Sequence, residues 1–343
     1  VYNFRSTLFT LSTSPAARPI FAPKIYSVAS HGEFNPRLRL IGQQMKHYKT
    51  CTQFVSFVLL ILAANSHSFA QTVFTYKSPE SDTDIRTTYE AAAMKLALDK
   101  TIAEFGPYDM QPTPRINTAR SVQSIKSNSF QNYFATLGYD EDYGTKEDII
   151  YVRFPVDLGA LSYRTCFMPE NMKQKVSSIR TLADLRKLTM GQGRGWRDVK
   201  VLRHNGFHVE EIDTYDQIFK MTAAHRFDLF CRGASEIKGE YDTWKSLKGL
   251  AYDRTLLIYY SMPIFFYTNA DNKLAAERLT KGFQKAYADG SLLALWRSQN
   301  QASIDFAQLN KRRIFRLDNP WVKSIDFDYT KYYYKLDVPK TVP

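Results

Sequence analysis

Residues 181–236 read TLADLRKLTMGQGRGWRDVKVLRHNGFHVEEIDTYDQIFKMTAAHRFDLFCRGASE, and their punctuation decides the fold. Thr181-Leu-Ala-Asp184 has the form of a capping box, so a short helix starts there with Leu182, Leu185 and Leu188 turned inward. Residues 188–191 form a brief strand, and a loop runs from Gly191 to Trp196. Residues 197–205 are helical, with Val201 and Leu202 on one side and Gly206 as a left-handed cap. Then follow a strand over 207–212, a helix over 215–224 and a strand over 227–231. Strands alternating with helices of this length predict right-handed crossovers and a parallel sheet. In such a sheet, ligands sit beyond the carboxyl ends of the strands. Two segments rich in Gly and Arg fall there, 191–197 and 231–236.

Outward from this block, the front of the chain reads as a leader. Met45-Lys-His-Tyr-Lys49 is basic, residues 54–64 are an apolar run, and Ser68-Phe-Ala70 supplies small residues for a signal peptidase. The run falls short of the ~20 apolar residues that cross a bilayer, which sets a cleaved signal peptide over 45–70 against the rival reading of a membrane anchor. Cys51 precedes the apolar run, which argues against a lipoprotein signal. Residues 1–44 read as a non-native segment upstream of a start at Met45. Lys and Arg outnumber Asp and Glu by 46 to 34 over the chain and by 7 to 1 within residues 1–70. The net charge of +12 therefore falls to +6 from Gln71 onward. No basic stripe with interleaved aromatics accompanies it, so no nucleic-acid partner is expected.

From Gln71 the pattern predicts a strand over 73–77, then a polar loop containing Glu80. A long helix follows, with Ile85, Tyr89, Ala92, Leu96 and Ala103 at helical spacing, ended by Gly106-Pro107. Residues 108–111 read as a strand, and Val122, Ile125, Phe130, Phe134 and Leu137 as helical pieces before Gly138. Strands are expected over 149–154 and 158–168, and a long β-rich run over 256–267. A helix over 273–289 turns Leu274, Leu279, Phe283 and Ala286 inward and is capped by Gly290; a shorter one spans 291–299. The aromatic tail with Tyr332-Tyr-Tyr334 reads as a strap on the surface. Cys166 and Cys231 each fall on a buried strand, either as small apolar residues or as a disulfide, which requires a Cα separation below ~7 Å.

Three segments carry a family resemblance: TLADLRKLTMGQGRGWRDVKVL, YDQIFKMTAAHRFDLF, and MPIFFYTNADNKLAAERLTKGFQKAYADGSLLALW with its Asp289-Gly290 turn. In their order, the chain from Gln71 resembles a type II periplasmic solute-binding protein of the family 3-like branch, the amino-acid ABC transporter substrate-binding type. The resemblance implies an α/β fold of two lobes, the second inserted into the first across a two-strand hinge. Lobe 1 would comprise 71–164 and 251–343, the latter including the C-terminal strap, and lobe 2 would comprise 165–250. It further implies a monomer in the periplasm that closes on a small ligand and serves an inner-membrane ABC permease or a sensor. The family's first-lobe Gly-x-x-Asp segment and its carboxylate-clamping Arg have no match between Gln111 and Asp148.

The candidate ligand site comprises Arg194, Gly195, Trp196 and Arg197, at the start of a helix where backbone N–H groups lack intrahelical partners. Arg194 and Arg197 offer bidentate bonds to a carboxylate, and Trp196 covers an apolar part. Arg232 and Glu236 reach the same edge, while Tyr76 and Glu80 approach from the first lobe. An enzyme on the same fold, such as a dehydratase-like protein using Glu80 and Glu236, is the alternative. Rival chemistries lack support. Trp196 occupies the third Gly position of a dinucleotide fingerprint, Gly206 separates His204 from His208, and no nucleophile elbow is present. No cofactor and no metal are expected.

Overall fold

The computed structural model describes residues 71–144 and 148–339. The leader over 45–70 and the segment before it lie outside the described residues. No helix among the described residues is long and apolar enough to cross a membrane.

The first sheet contains β1 (Thr72–Tyr76), β2 (Tyr108–Pro112), β3 (Tyr133–Gly138), β4 (Ile149–Tyr151) and β11 (Ile264–Asn269), in the order β2-β1-β3-β11-β4. The first three are mutually parallel and β11 runs against them. Helix α1 (Thr87–Asp99) covers this sheet, burying Ala93, Met94, Ala97 and Leu98. Ile85 stands outside the helix and is exposed. Of the expected line, Tyr89 and Leu96 pack half-buried against the core, while the fully buried apolar positions fall beside it. Phe134 and Leu137 lie on β3, not on a helix: residues 118–126 alone form α2. A central strand buried on both faces shows no alternation, so its apolar spacing imitates a helix.

The second sheet contains β5 (Tyr163–Pro169), β8 (Phe230–Gly233), β9 (Leu250–Tyr252), β10 (Leu256–Tyr259) and β12 (Arg313–Arg316). Beside it, β6 (Thr189–Gly193) and β7 (His208–Ile212) form a parallel pair, and Met190 bridges to Leu229 in parallel. The expected parallel sheet is thus realised in part, because β8 continues antiparallel onto β5. Helices α3 (Arg197–His204), α4 (Tyr215–Ala223) and α5 (Ile237–Trp244) pack around these strands. Thr181 caps the short helix before β6, its side chain accepting from the Asp184 N–H. Residues of this sheet extend past 250 to Tyr259 and include β12 from the tail.

The run over 256–267 divides between the sheets: Leu256–Tyr259 belongs to the second and Ile264–Asn269 to the first. Residues 260–263 cross between them beside residues 152–162, joined by Val156 N to Ile264 O (3.0 Å) and Tyr260 N to Ser162 O (3.2 Å). Helices α6 (Lys273–Ala288) and α7 (Ser291–Ala307) follow. α6 buries Leu279, Phe283 and Ala286 but leaves Leu274 exposed. α7 runs well past residue 299 and places Phe306 against Tyr241 and Tyr252 of the second lobe. After β12 the tail returns to the first lobe, where Tyr332 meets Phe154 and Tyr334 meets Trp296.

Cys166 and Cys231 face each other across β5 and β8 and form a disulfide, with Cα atoms 3.9 Å apart.

Candidate functional site

In the first lobe, the loop after β1 folds around one carboxylate. Asp84 accepts from the Glu80 N–H (2.8 Å) and from Arg86 Nε and Nη2 (2.7 and 2.8 Å). Burial pushes the Asp84 carboxyl up, but the Arg86 charge and its hydrogen bonds outweigh this and hold it well below the usual carboxylate range. Glu80 pairs with Lys77 (2.9 Å) and Arg86 (3.0 Å). The loop therefore fixes Arg86 at the entry of α1, and Glu90 follows one turn later.

In the second lobe, β6 ends at Gly193 and the chain turns through Gly195, whose φ is +80°. A Cβ on Gly193 would lie 2.3 Å from the Trp196 ring, so only glycine lets the indole lie flat on the strand end. Trp196 is then flanked by two guanidinium groups, Arg232 at 4.6 Å and Arg86 at 5.2 Å. Arg232 pairs with Glu236 (2.7 Å) and Glu240 (2.8 Å), and Tyr215 Oη donates to Glu240 (2.7 Å). Arg164, at the start of β5, pairs with Asp198 (2.8 Å) and donates to Tyr260 Oη (2.8 Å).

Contacts between the lobes close the cleft. Arg197 pairs with Asp140 and donates to Tyr143 Oη (2.6 Å), and Lys200 reaches Asp140 (3.2 Å) and Asp142 (3.0 Å). Ser81 and Thr83 of the first lobe donate to Asp216 Oδ1 (2.8 and 2.7 Å).

Between these walls lies a cavity of about 110 Å³. Five cationic side chains line it, Lys77, Arg86, Arg164, Arg197 and Arg232, against three carboxyl groups, Glu90, Asp198 and Glu236. Glu90 is pushed up to about 7 by burial, only partly offset by a hydrogen bond from Thr136 and by the charges of Lys77 and Arg86. Each of the five is engaged by a carboxylate of the protein, Lys77 by Glu80, Arg86 by Asp84 and Glu80, Arg164 by Asp198, Arg197 by Asp140 and Arg232 by Glu236 and Glu240, so an anionic group entering this space would share them with those partners.

Of the residues singled out from sequence, Gly195, Trp196, Arg197, Arg232 and Glu236 converge on this cavity. Arg194 points elsewhere: it is half exposed and pairs with Asp213. Glu80 is engaged with Lys77 and Arg86, and Tyr76 packs against the core at the end of β1; neither lines the cavity. Sequence reading passed over Arg86, Glu90, Arg164 and Thr136. The Asp84-Ile-Arg86 spacing just before a helix was the signal available for Arg86. Arg164 stood inside an apolar run with nothing to mark it. Among the described residues, no group of three or more His, Cys, Asp or Glu is placed to hold a metal ion.

Two lobes with crossed-over strands, the second inserted into the first, constitute the type II periplasmic binding protein fold. The chain is similar to an ancestral arginine-binding protein bound to arginine, with 13% identity, 67% of this chain and 99% of that one covered, and a TM-score of 0.51. It is also similar to a Salmonella typhimurium periplasmic binding protein described for high arginine specificity, at 11% identity, 67% and 100% coverage, and a TM-score of 0.51. An arginine 3rd transport system periplasmic binding protein from Legionella pneumophila matches at 11% identity, again with 67% and 100% coverage and a TM-score of 0.51. No protein-family model and no curated protein matches the chain.

Proposed function

We propose that this chain is an exported solute-binding protein, which captures a small anionic or amino-acid-like ligand between its lobes for a membrane transporter or a sensor. The observation that carries this reading is the convergence of five cationic side chains, Lys77, Arg86, Arg164, Arg197 and Arg232, on a cavity placed where the lobes meet. The ligand's carboxylate would lie among Arg86, Arg164, Arg197 and Arg232, with Trp196 over its apolar part and Glu236 or Glu90 towards a cationic group. The fold supports this, since the similar structures are described as arginine-binding or transport-system proteins. The Cys166–Cys231 bridge supports an oxidising compartment such as the periplasm, in keeping with the signal pattern over 45–70.

The test is native mass spectrometry of the protein purified from its own host, followed by calorimetry with the ligand found. Arg197→Ala and Arg232→Ala should each bind at least tenfold more weakly. Wild-type affinity in both variants rejects the site. One observation favours an enzyme instead: Glu90, a carboxyl raised to about 7, suits general acid–base work. Conversion of the ligand on incubation with the protein, abolished in Glu90→Gln, would establish that second reading.

A further inference from the structure

We propose that residues 318–327, where the tail leaves the second sheet, form a clasp across the rim of the cleft and limit how far the lobes part. The inference concerns the movement of the lobes and stands whichever solute the cleft takes.

The tail grips the second lobe first. Asn205, which ends α3, is tied to Asp318 by two hydrogen bonds: its Nδ2 donates to Asp318 O (2.7 Å), and the Asp318 N–H donates to its Oδ1 (3.0 Å). His204 stands 3.4 Å from the Asp318 carboxylate and meets the Trp321 ring edge-on, with centroids 5.3 Å apart. Lys200 lies 4.5 Å over the same indole, while its ammonium reaches Asp140 and Asp142 of the first lobe. Trp321 is thus seated at the seam, against the side chain that bridges it.

A few residues further on, the tail has hold of the first lobe. Ser324 Oγ lies 3.0 Å from Tyr139 Oη. Ile325 and Phe327 pack against the apolar cluster that contains Tyr139 and Phe265, and the rings of Phe265 and Phe327 are 5.9 Å apart. Arg153 donates to both oxygens of Asp326 (2.7 and 2.8 Å). Between the two anchors, Asn319 donates to Ser261 O on the crossing segment (2.7 Å), which pins the clasp beside the hinge.

Little slack separates the anchors. They are joined by a 3-10 helix, Pro320–Ser324. Five residues in that form span about 10 Å, and about 17 Å when fully extended. Opening that carries the end of α3 more than roughly 7 Å from Tyr139 must therefore pull one anchor loose. Those contacts are kept in the closed form and lost on wide opening, so the clasp weights the equilibrium towards closure.

The experiment loosens the clasp in two ways in the full chain and follows the radius of gyration by small-angle scattering, after exhaustive dialysis to strip bound solute. Trp321→Ala removes the ring that holds the second lobe. Inserting Gly-Ser-Gly-Ser between Asn319 and Pro320 leaves every anchoring side chain in place and adds about 13 Å of reach. Each protein is first checked for a cooperative urea transition. Both variants should show a larger radius than the wild type, the insertion most of all, with little change in its urea midpoint. A tail that merely packs would lower the midpoint and leave the radius unchanged, and an unchanged radius in the folded variants overturns the clasp. If one variant fails to fold, the other decides; failure of both assigns the segment to the core and overturns the clasp as well. None of these outcomes involves ligand affinity, so a failed clasp leaves the solute-binding reading standing.

Discussion

Arg164 and Arg232 are held within or beside their own lobe, whereas Arg86 and Arg197 reach towards the opposite one. The partners of Arg232 are Glu236 and Glu240, and those of Arg164 are Asp198 and Tyr260 on the adjoining crossing segment. Both guanidinium groups are almost fully buried. Arg197 instead takes Asp140 and Tyr143 from across the cleft, and Arg86, though anchored by Asp84, lies 4.1 Å over the Tyr215 ring of the second lobe. The contacts of the first pair lie within the second lobe or on the crossing segment beside it, so parting of the lobes should leave Arg232 with Glu236 and Glu240. The second pair also makes contacts across the cleft, Arg197 with Asp140 and Tyr143 and Arg86 with the Tyr215 ring, and that part of its interaction energy favours the lobes together.

The comparison breaks first at Arg232. Arg232→Ala would leave Glu236 and Glu240 buried without a cation, and should cost about 3–5 kcal/mol in urea unfolding. A loss below about 1 kcal/mol would place Arg232 among rim residues. Replacing both Cys166 and Cys231 by Ser removes a link between positions 65 apart in sequence and should cost about 2–4 kcal/mol, chiefly by freeing the unfolded chain. The urea midpoint should fall while ligand affinity changes little. At the seam, Asp140→Asn should cost about 2 kcal/mol or less, yet shift the population towards an open form. Small-angle scattering would report a larger radius of gyration without ligand, and an unchanged radius would show that Arg197 does not govern closure.

Acidity also separates two carboxyl groups of the first-lobe wall, Glu90 and Asp84. Glu90 is raised from 4.5 to about 7, so the folded state binds more protons than the unfolded state between those values. Its contribution is fully present below about 4.5 and is lost as pH rises through about 7. Asp84 is shifted the other way and contributes above its unfolded value of 3.8, losing that contribution in more acid solution. Melting temperatures followed from pH 4 to 8 should decline less steeply in Glu90→Gln than in the wild type. The smallest effect belongs to Arg194→Ala, an exposed pair with Asp213, for which neither stability nor binding should change measurably.

The second-lobe wall of the site was legible in sequence because a Gly-rich loop between strand and helix announces itself: Gly191 to Arg197 does so twice over. The first-lobe wall was hidden. Arg86 and Glu90 are charged residues beside an apolar helical line that marks core packing and says nothing of a site, and Thr136 to Gly138 lay within a strand whose spacing imitates a helix. The apolar continuity of 256–267 likewise concealed a change of sheet at residues 260–263. The pairing of Cys166 with Cys231 depends on antiparallel register, which composition does not encode.

β12 joins the second sheet from the far end of the chain, pairing Arg313–Arg316 with Leu256–Tyr259. A polypeptide emerging N-terminus first cannot finish the inserted lobe when that lobe's own sequence has appeared. Until residue 316 is free, the outer edge of β10 stays an open template for any extended strand nearby. The last step of folding is therefore shared by both lobes: the segment that completes one sheet leads directly into the strap that lies on the other. A chain cut after α7 would retain nearly every side chain of the cleft and yet carry a permanently unpaired edge, with self-association as the expected fate.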